Sequence, residues 1–242
     1  MPSDFCIPSR TISNFADCFL YLKMDIFESG IPDIKIRNIG TWRNPMETIE
    51  ARIVLEAWDG YLYKHMENGW EITDGKVTLD FGGFIKGIPR DWQPEINAYH
   101  HLLENQHVIR DNIIKALSEQ VNRLTQYLDS DDWFVPNITP ETKANFDFKP
   151  LIGPLSIGCI EESKDDVSYL QWHFQCEWDP EHGFAAITHK ERVIDLDQDT
   201  DIWKIYEDNG TLAEKQKEYD ERAKNAKPLE PQKPQKPWWK FW

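Results

Sequence analysis

Between residues 166 and 190 the side chains alternate in character. Ser168, Leu170, Trp172, Phe174, Cys176 and Trp178 share one parity, and Val167, Tyr169, Gln171, His173, Gln175 and Glu177 the other. A period of two predicts a strand with one buried face. The segment Asp179-Pro180-Glu181-His182-Gly183 breaks that period, because proline lacks a ladder donor and glycine accepts a positive φ. Residues 184–189 are then expected as the returning strand of a β-hairpin with a charged tip.

The same patterning organises the rest of the chain. Residues 19–27 and 34–39 are candidate strands around the turn signal Ser29-Gly30-Ile31-Pro32. Residues 50–58 fit a strand or a helix. Residues 69–73 and 76–81 flank Asp74-Gly75 and predict a second hairpin. From Pro94 the period changes to three and four: Ile96, Tyr99, Leu103, Ile109, Ile113, Ala116, Leu117, Val121, Leu124 and Leu128 form one apolar stripe. This predicts a long helix over 94–128, with Glu95 well placed in its first turn and a break expected near residues 105–107. Residues 133–150, with Pro136, Pro140 and Pro150, predict a surface crossing. Strands are expected again over 151–161 and 192–196.

Beyond residue 199 the character is polar. Residues 202–206 suggest a short helix, Asn209-Gly210 a stop, and 212–227 a helix held by i,i+4 pairs such as Glu218 with Arg222. Pro228, Pro231, Pro234 and Pro237 predict an extended linker before Trp238, Trp239, Lys240, Phe241 and Trp242. The expected organisation is an N-terminal segment of strands over 1–49, a main domain over 50–206, and an appendage over 207–242. The fold class is α+β: an antiparallel sheet packed on a long helix, with a flexible C-terminal helix and tail.

Composition narrows the functional classes. At 242 residues and 40% hydrophobic, with 11 Trp, the chain can bury a large core. Its 42 acidic residues against 27 basic give a net charge of -15, which disfavours nucleic acid, since phosphate binding needs clustered Lys and Arg, and favours a basic protein partner. Cys6, Cys18, Cys159 and Cys176 include no CxxC pair and suit reduced thiols in a cytoplasmic protein. No apolar run is long enough for a membrane span and residues 1–10 have neither a basic region nor an apolar run, so neither a span nor an export signal is expected.

The candidate chemistry is sparse. Asp179, Glu181 and His182 are residue types used in metal and acid–base sites, but an Asp and a His within one turn more often cap it. A metal-dependent hydrolase built on them would need a further ligand such as His173 or His189. Cys176 shares the parity of the buried residues and is expected as a small hydrophobe. Asp195, Asp197, Asp199 and Asp201 alternate, yet Thr200 stands where a calcium loop needs glycine and Tyr206 stands at its twelfth position, so a solvated acidic loop is expected. His100, His101 and His107 fit surface or half-buried positions. The aromatic tail is a large apolar surface on a stiff spacer, suited to docking on this chain's own body or on a partner, with lipid contact ranked behind both.

The segment from His173 to Phe184, with Cys176, Trp178, Asp179, Glu181, His182 and Gly183, resembles the C-terminal signature of an uncharacterised bacterial domain family. In that signature a strand ending in Cys-x-Trp-Asp precedes Glu-His-Gly and a further strand. The resemblance extends back through residues 98–105 and Phe81-Gly82-Gly83, over roughly 50–195. The resemblance carries no assigned activity over to this chain. It is also similar in style to small acidic proteins encoded near polymorphic toxin genes, which implies an immunity-like inhibitor. The expected function is therefore a non-enzymatic protein-binding one, with no catalytic residues, metal or cofactor. Its expected binding residues are Trp178, Asp179, Glu181 and His182 at the tip and Trp238, Trp239, Lys240, Phe241 and Trp242 in the tail. The metal-dependent hydrolase is the alternative, and an adaptor acting through the tail is the second.

Overall fold

The computed structural model describes residues 30–31, 33–39, 41, 46–61, 76–85, 90–126, 128, 136, 138–139 and 142–225. The expectations for 19–27, 69–73 and the aromatic tail lie outside these residues. The expected crossing over 133–150 lies partly outside them.

The sheet has seven strands in chain order: β1 (Ile34–Asn38), β2 (Met46–Val54), β3 (Lys76–Ile85), β4 (Ile152–Lys164), β5 (Val167–Cys176), β6 (Phe184–His189) and β7 (Arg192–Asp197). The mixed α+β class is as expected. Five of the junctions are antiparallel, but β3 and β4 run parallel through Thr78 opposite Ser156, Leu79 opposite Ile157 and Asp80 opposite Gly158. The long helix α1 (Gln93–Leu124) is inserted between them, and a helical crossover is what a parallel connection requires. Residues 50–58 combine the two options: the strand ends at Val54 and a single 3-10 turn covers Glu56–Trp58. Strand β2 spans the division expected at residue 49.

Helix α1 has 32 residues, about 48 Å at 1.5 Å per residue, and has no break at 105–107. The polar residues expected to interrupt it fasten it instead. Asn105 Nδ2 donates to the His101 carbonyl at 3.0 Å. The buried Gln106 accepts the Ala57 N–H at 2.9 Å, and Arg110 donates to the Ala57 carbonyl at 2.7 Å, so α1 grips both sides of that peptide position. Its buried face runs through Ile96, Tyr99, Leu102, Ile109, Ile113, Leu117, Val121 and Leu124; Leu102, rather than Leu103, is the fully buried residue at that turn.

The helix is also pinned to the sheet at three levels. Asn97 Nδ2 donates to the Asp166 carbonyl at 2.8 Å, Asn112 Nδ2 to the Glu191 carbonyl at 2.8 Å, and Arg123 to the Leu196 carbonyl at 3.1 Å. Beneath it, Trp58, Trp172 and Phe174 meet with ring centroids 5.2–6.0 Å apart, and Phe174 stacks on Phe184 at 4.7 Å. Such aromatic burial dominates the energy of a core of this kind.

The expectation of one buried face for the 166–190 hairpin needs correction. Tyr169 is fully buried on the second face, and every residue of β6 is buried. The cover comes from α2 (Trp203–Asp208), whose Ile205 packs on Tyr169 and Ile187. Helix α3 (Leu212–Asn225) follows with no buried residue and leans on α2 through Trp203 and Tyr219.

Candidate functional site

The hairpin tip is built around Asp179. Its carboxylate is nearly buried, and one oxygen accepts from the His182 backbone N–H at 3.1 Å and pairs with His182 Nδ1 at 3.0 Å. The other oxygen accepts from Gln198 Nε2 at 2.6 Å. Gly183 closes the turn with φ of 68°, its N–H donating to the Asp179 carbonyl at 2.8 Å. A Cβ there would stand 2.0 Å from the Phe174 carbonyl oxygen, so the turn demands glycine on both steric and conformational grounds.

Trp178, expected as a binding residue, is 1% exposed and stacks on Phe184 at 5.9 Å. Its place is in the core, because its parity continues that of Phe174 and Cys176. Burial pushes the Cys176 thiol up to about 12, which suits a packed thiol and not a nucleophile. The two possible extra ligands do not join the tip: His173 is exposed on β5, and His189 bonds the Lys164 carbonyl at 2.9 Å near the opposite end of β6. Among the described residues no group of three His, Cys, Asp or Glu side chains is arranged to hold a metal ion.

What the fold does bring together is the tip and the aspartate-rich loop. Ala185 pairs with Asp197 and Phe174 with Phe184, so residues 177–183 and 198–201 leave the sheet at the same end. The loop's carboxylates shape it from within: Asp195 accepts the Asp201 N–H at 2.8 Å, and Asp201 accepts the Trp203 N–H at 2.9 Å. Asp197 pairs with Arg123 at 2.7 Å. Glu181, Asp199 and Asp201 are exposed, and Glu181 and Asp199 make no hydrogen bond or ion pair among the described residues. The C-terminal end of α1, the negative end of its dipole, reaches the same region at Arg123. The result is an acidic end of the sheet, rimmed by carboxylates, with Arg123 as a nearby cation.

Two polar clusters had no signal in the sequence. Asp208, at the end of α2, receives Arg192 at 2.7 and 3.0 Å, Tyr169 Oη at 2.8 Å and Lys164 Nζ at 3.2 Å. The Arg192 guanidinium, with Tyr169 and Lys164 adding to it, holds the Asp208 carboxyl well below the usual range, while burial and Asp208 hold the Tyr169 phenol high. Sequence separations of 16 to 44 residues between these partners hide the cluster.

The second cluster joins the end of β3 to the start of α1. Arg90 bonds the Gly83 carbonyl at 2.7 Å, pairs with the buried Glu95, and lies 4.3 Å over the Trp92 ring. Thr48 Oγ1 donates to Asp80 at 2.6 Å, and Gly82 N–H donates to the same oxygen at 2.7 Å. Burial raises the Glu95 carboxyl despite Arg90. Both clusters fasten one element to another.

Among the described residues no helix is long and apolar enough to cross a membrane. No curated protein and no solved structure matches the chain. The sequence model of a domain family described as a domain of unknown function (DUF6985) matches residues 89–203. The matched stretch takes in α1 and β4 to β7, including the tip and the aspartate-rich loop, and leaves out β1 to β3. Over that stretch the chain is similar to an uncharacterised domain family.

Proposed function

We propose that this chain is a non-enzymatic, cytoplasmic protein-binding protein that takes a basic protein partner at the acidic end of its sheet. The observation that carries this reading is the Gln198–Asp179 hydrogen bond, which holds the aspartate-rich loop against the hairpin tip. Glu181, Asp199 and Asp201 then face solvent together on a chain of net charge -15. Such a field steers a cationic surface into encounter and fixes its orientation. Both carboxylate oxygens of Asp179 are already engaged, one within the turn by His182 and the other by Gln198 of the loop, which favours binding over hydrolysis at this place. The finer form of the reading is an immunity-like inhibitor that covers a basic toxin or enzyme.

The test compares the full chain with Glu181→Lys/Asp199→Lys, two exposed positions that support no turn. A basic protein captured from native lysate at low salt and released at raised salt is the expected ligand of the wild-type chain. Its association rate with the double variant should fall by about tenfold or more. Equal rates for both chains would refute the acidic end as the binding surface.

A further inference from the structure

His189 ends strand β6 with both ring nitrogens engaged, and it is buried. Its Nε2 lies 2.9 Å from the Lys164 carbonyl, and its Nδ1 lies 3.3 Å from the Arg192 guanidinium. A carbonyl only accepts and a guanidinium only donates, so the neutral ring carries its proton on Nε2 and presents the Nδ1 lone pair to Arg192. The Arg192 nitrogen that meets Nδ1 also donates to Asp208 at 3.0 Å, and its twin donates to the other Asp208 oxygen at 2.7 Å. Asp208 is the last residue of α2. One guanidinium nitrogen therefore joins the buried ring to the end of the helix whose Ile205 covers Tyr169 and Ile187.

We propose that His189 is a proton-operated latch: a second proton, taken up at Nδ1, turns Arg192 away, weakens its hold on Asp208 and releases α2 from the second face of the sheet. The proton comes from solvent, and the ring becomes a cation with a donor where its acceptor was. Two donors and two positive charges then face each other at hydrogen-bond distance, and the half-exposed Arg192 has solvent to turn into. The acids within reach already have partners. On β4, Lys164 places its ammonium on the Asp208 carbonyl at 2.6 Å and carboxylate at 3.2 Å. On β5, Tyr169 lies 4.6 Å from the imidazole, ring to ring, and donates to Asp208. In the adjoining turns Lys190 pairs with Asp165 at 3.4 Å, and Glu191 lies 3.0 Å from His101 of α1. Burial of the ring lowers the His189 pKa, and Arg192 and Lys190 lower it further against the opposing Lys164 carbonyl. The closed arm thus resists the proton that the opened arm accepts, so uptake favours opening. Asp208, held well below the usual carboxylate range, keeps its charge meanwhile. This latch does not depend on the acidic-end reading.

The test follows amide exchange in the full chain at Ile205, Tyr206 and Asn209, whose N–H groups bond to Ile202 and Ile205 within the α2 turns. Corrected for intrinsic pH dependence, their opening should increase at least about threefold from about pH 7.5 to about pH 5.5, while Ile113 and Leu117 of α1 keep their protection. His189→Gln retains a donor and an acceptor but takes up no proton in this range, and should show no such increase. Nitrogen NMR shifts of the wild-type ring should show the Nε2–H form at neutral pH, with protonation over the same interval as the opening of α2. These wild-type readouts stand even where the variant does not fold. An Nδ1–H ring, ring protonation without opening of α2, unchanged α2 exchange between the two pH values, or an equal increase in His189→Gln would each overturn the proposal.

Discussion

Gln198 donates its side-chain N–H to Asp179 at 2.6 Å, and this bond joins a hairpin tip to a loop nineteen positions further along the chain. Asp179 is 6% exposed, so its carboxylate depends on protein donors and not on water. Gln198→Ala should cost about 1 kcal/mol and Asp179→Ala about 1–3 kcal/mol in urea unfolding. The double variant should cost less than the two combined, since both changes remove the same bond. Additive losses would mean that the two side chains do not interact in solution.

Gly183→Ala is expected to be among the most damaging single methyl additions in the hairpin. The added carbon would meet the Phe174 carbonyl at 2.0 Å, and φ of 68° strains any L side chain. A loss of at least about 2 kcal/mol should appear in thermal or urea unfolding. Gly210→Ala is a useful control: φ there is 80°, but a Cβ would meet nothing within 4 Å, so only the conformational part of the cost remains.

Acid should loosen the α2–α3 arm before it unfolds the sheet. The Asp208 carboxyl is held low by Arg192, and burial lowers the pKa of His189. Both groups therefore bind protons more readily in the unfolded state, so their contributions are present at neutral pH and fade on acidification. The His189 contribution should be lost as pH falls below about 6.5, and the Asp208 contribution as it falls below about 4. Amide exchange across residues 203–225, corrected for its intrinsic pH dependence, should show this opening. Asp208→Asn should show it at pH 7 already, with a cost of about 1–2 kcal/mol, discounted because Arg192 is half exposed. Unchanged protection in that variant would show that the cluster does not hold the arm.

Trp172 Nε1 donates to Thr188 Oγ1 at 3.0 Å in the middle of the core. Thr188→Val keeps the shape and removes the acceptor, which leaves a buried indole N–H without a partner. A cost of about 1–3 kcal/mol is expected in urea unfolding. Trp172→Phe removes the donor together with its need, but leaves a cavity. In the Trp172→Phe background, Thr188→Val should cost much less than it does alone.

The hairpin, the long helix and the class of the fold were legible because each rests on local periodicity. The alternation through Leu170, Trp172 and Phe174, with Pro180 and Gly183 beyond it, needs no knowledge of distant residues. The same holds for the apolar stripe of α1. The burial of Tyr169 was not legible, since its parity marks it as outward and its cover, Ile205, comes from a later helix. Nor was the continuity of α1 at Gln106, whose partner is the Ala57 peptide. Polar residues in a helical stripe signal a break only until a partner for them is known.

Chemistry followed the same division. Asp179 and His182 stood out as a candidate set by their types, and the local turn was already the better reading of their spacing. The Asp208 and Arg90–Glu95 clusters draw on residues from separate elements, and no spacing rule finds such sets.

By itself the chain determined its strand and helix periods, its turn glycines, its acidic excess and its aromatic end, because these depend on side-chain identity and short spacing. Only the tertiary structure decided that β3 and β4 run parallel, that Tyr169 and Ile187 are covered on the second face of the sheet, and that the Asp179 tip meets the Gln198 loop. Each of these is a pairing between distant segments. Such pairings are selected by the packing of the whole core, where the loop-closure cost of many contacts is met together and cannot be assigned to any one stretch of sequence.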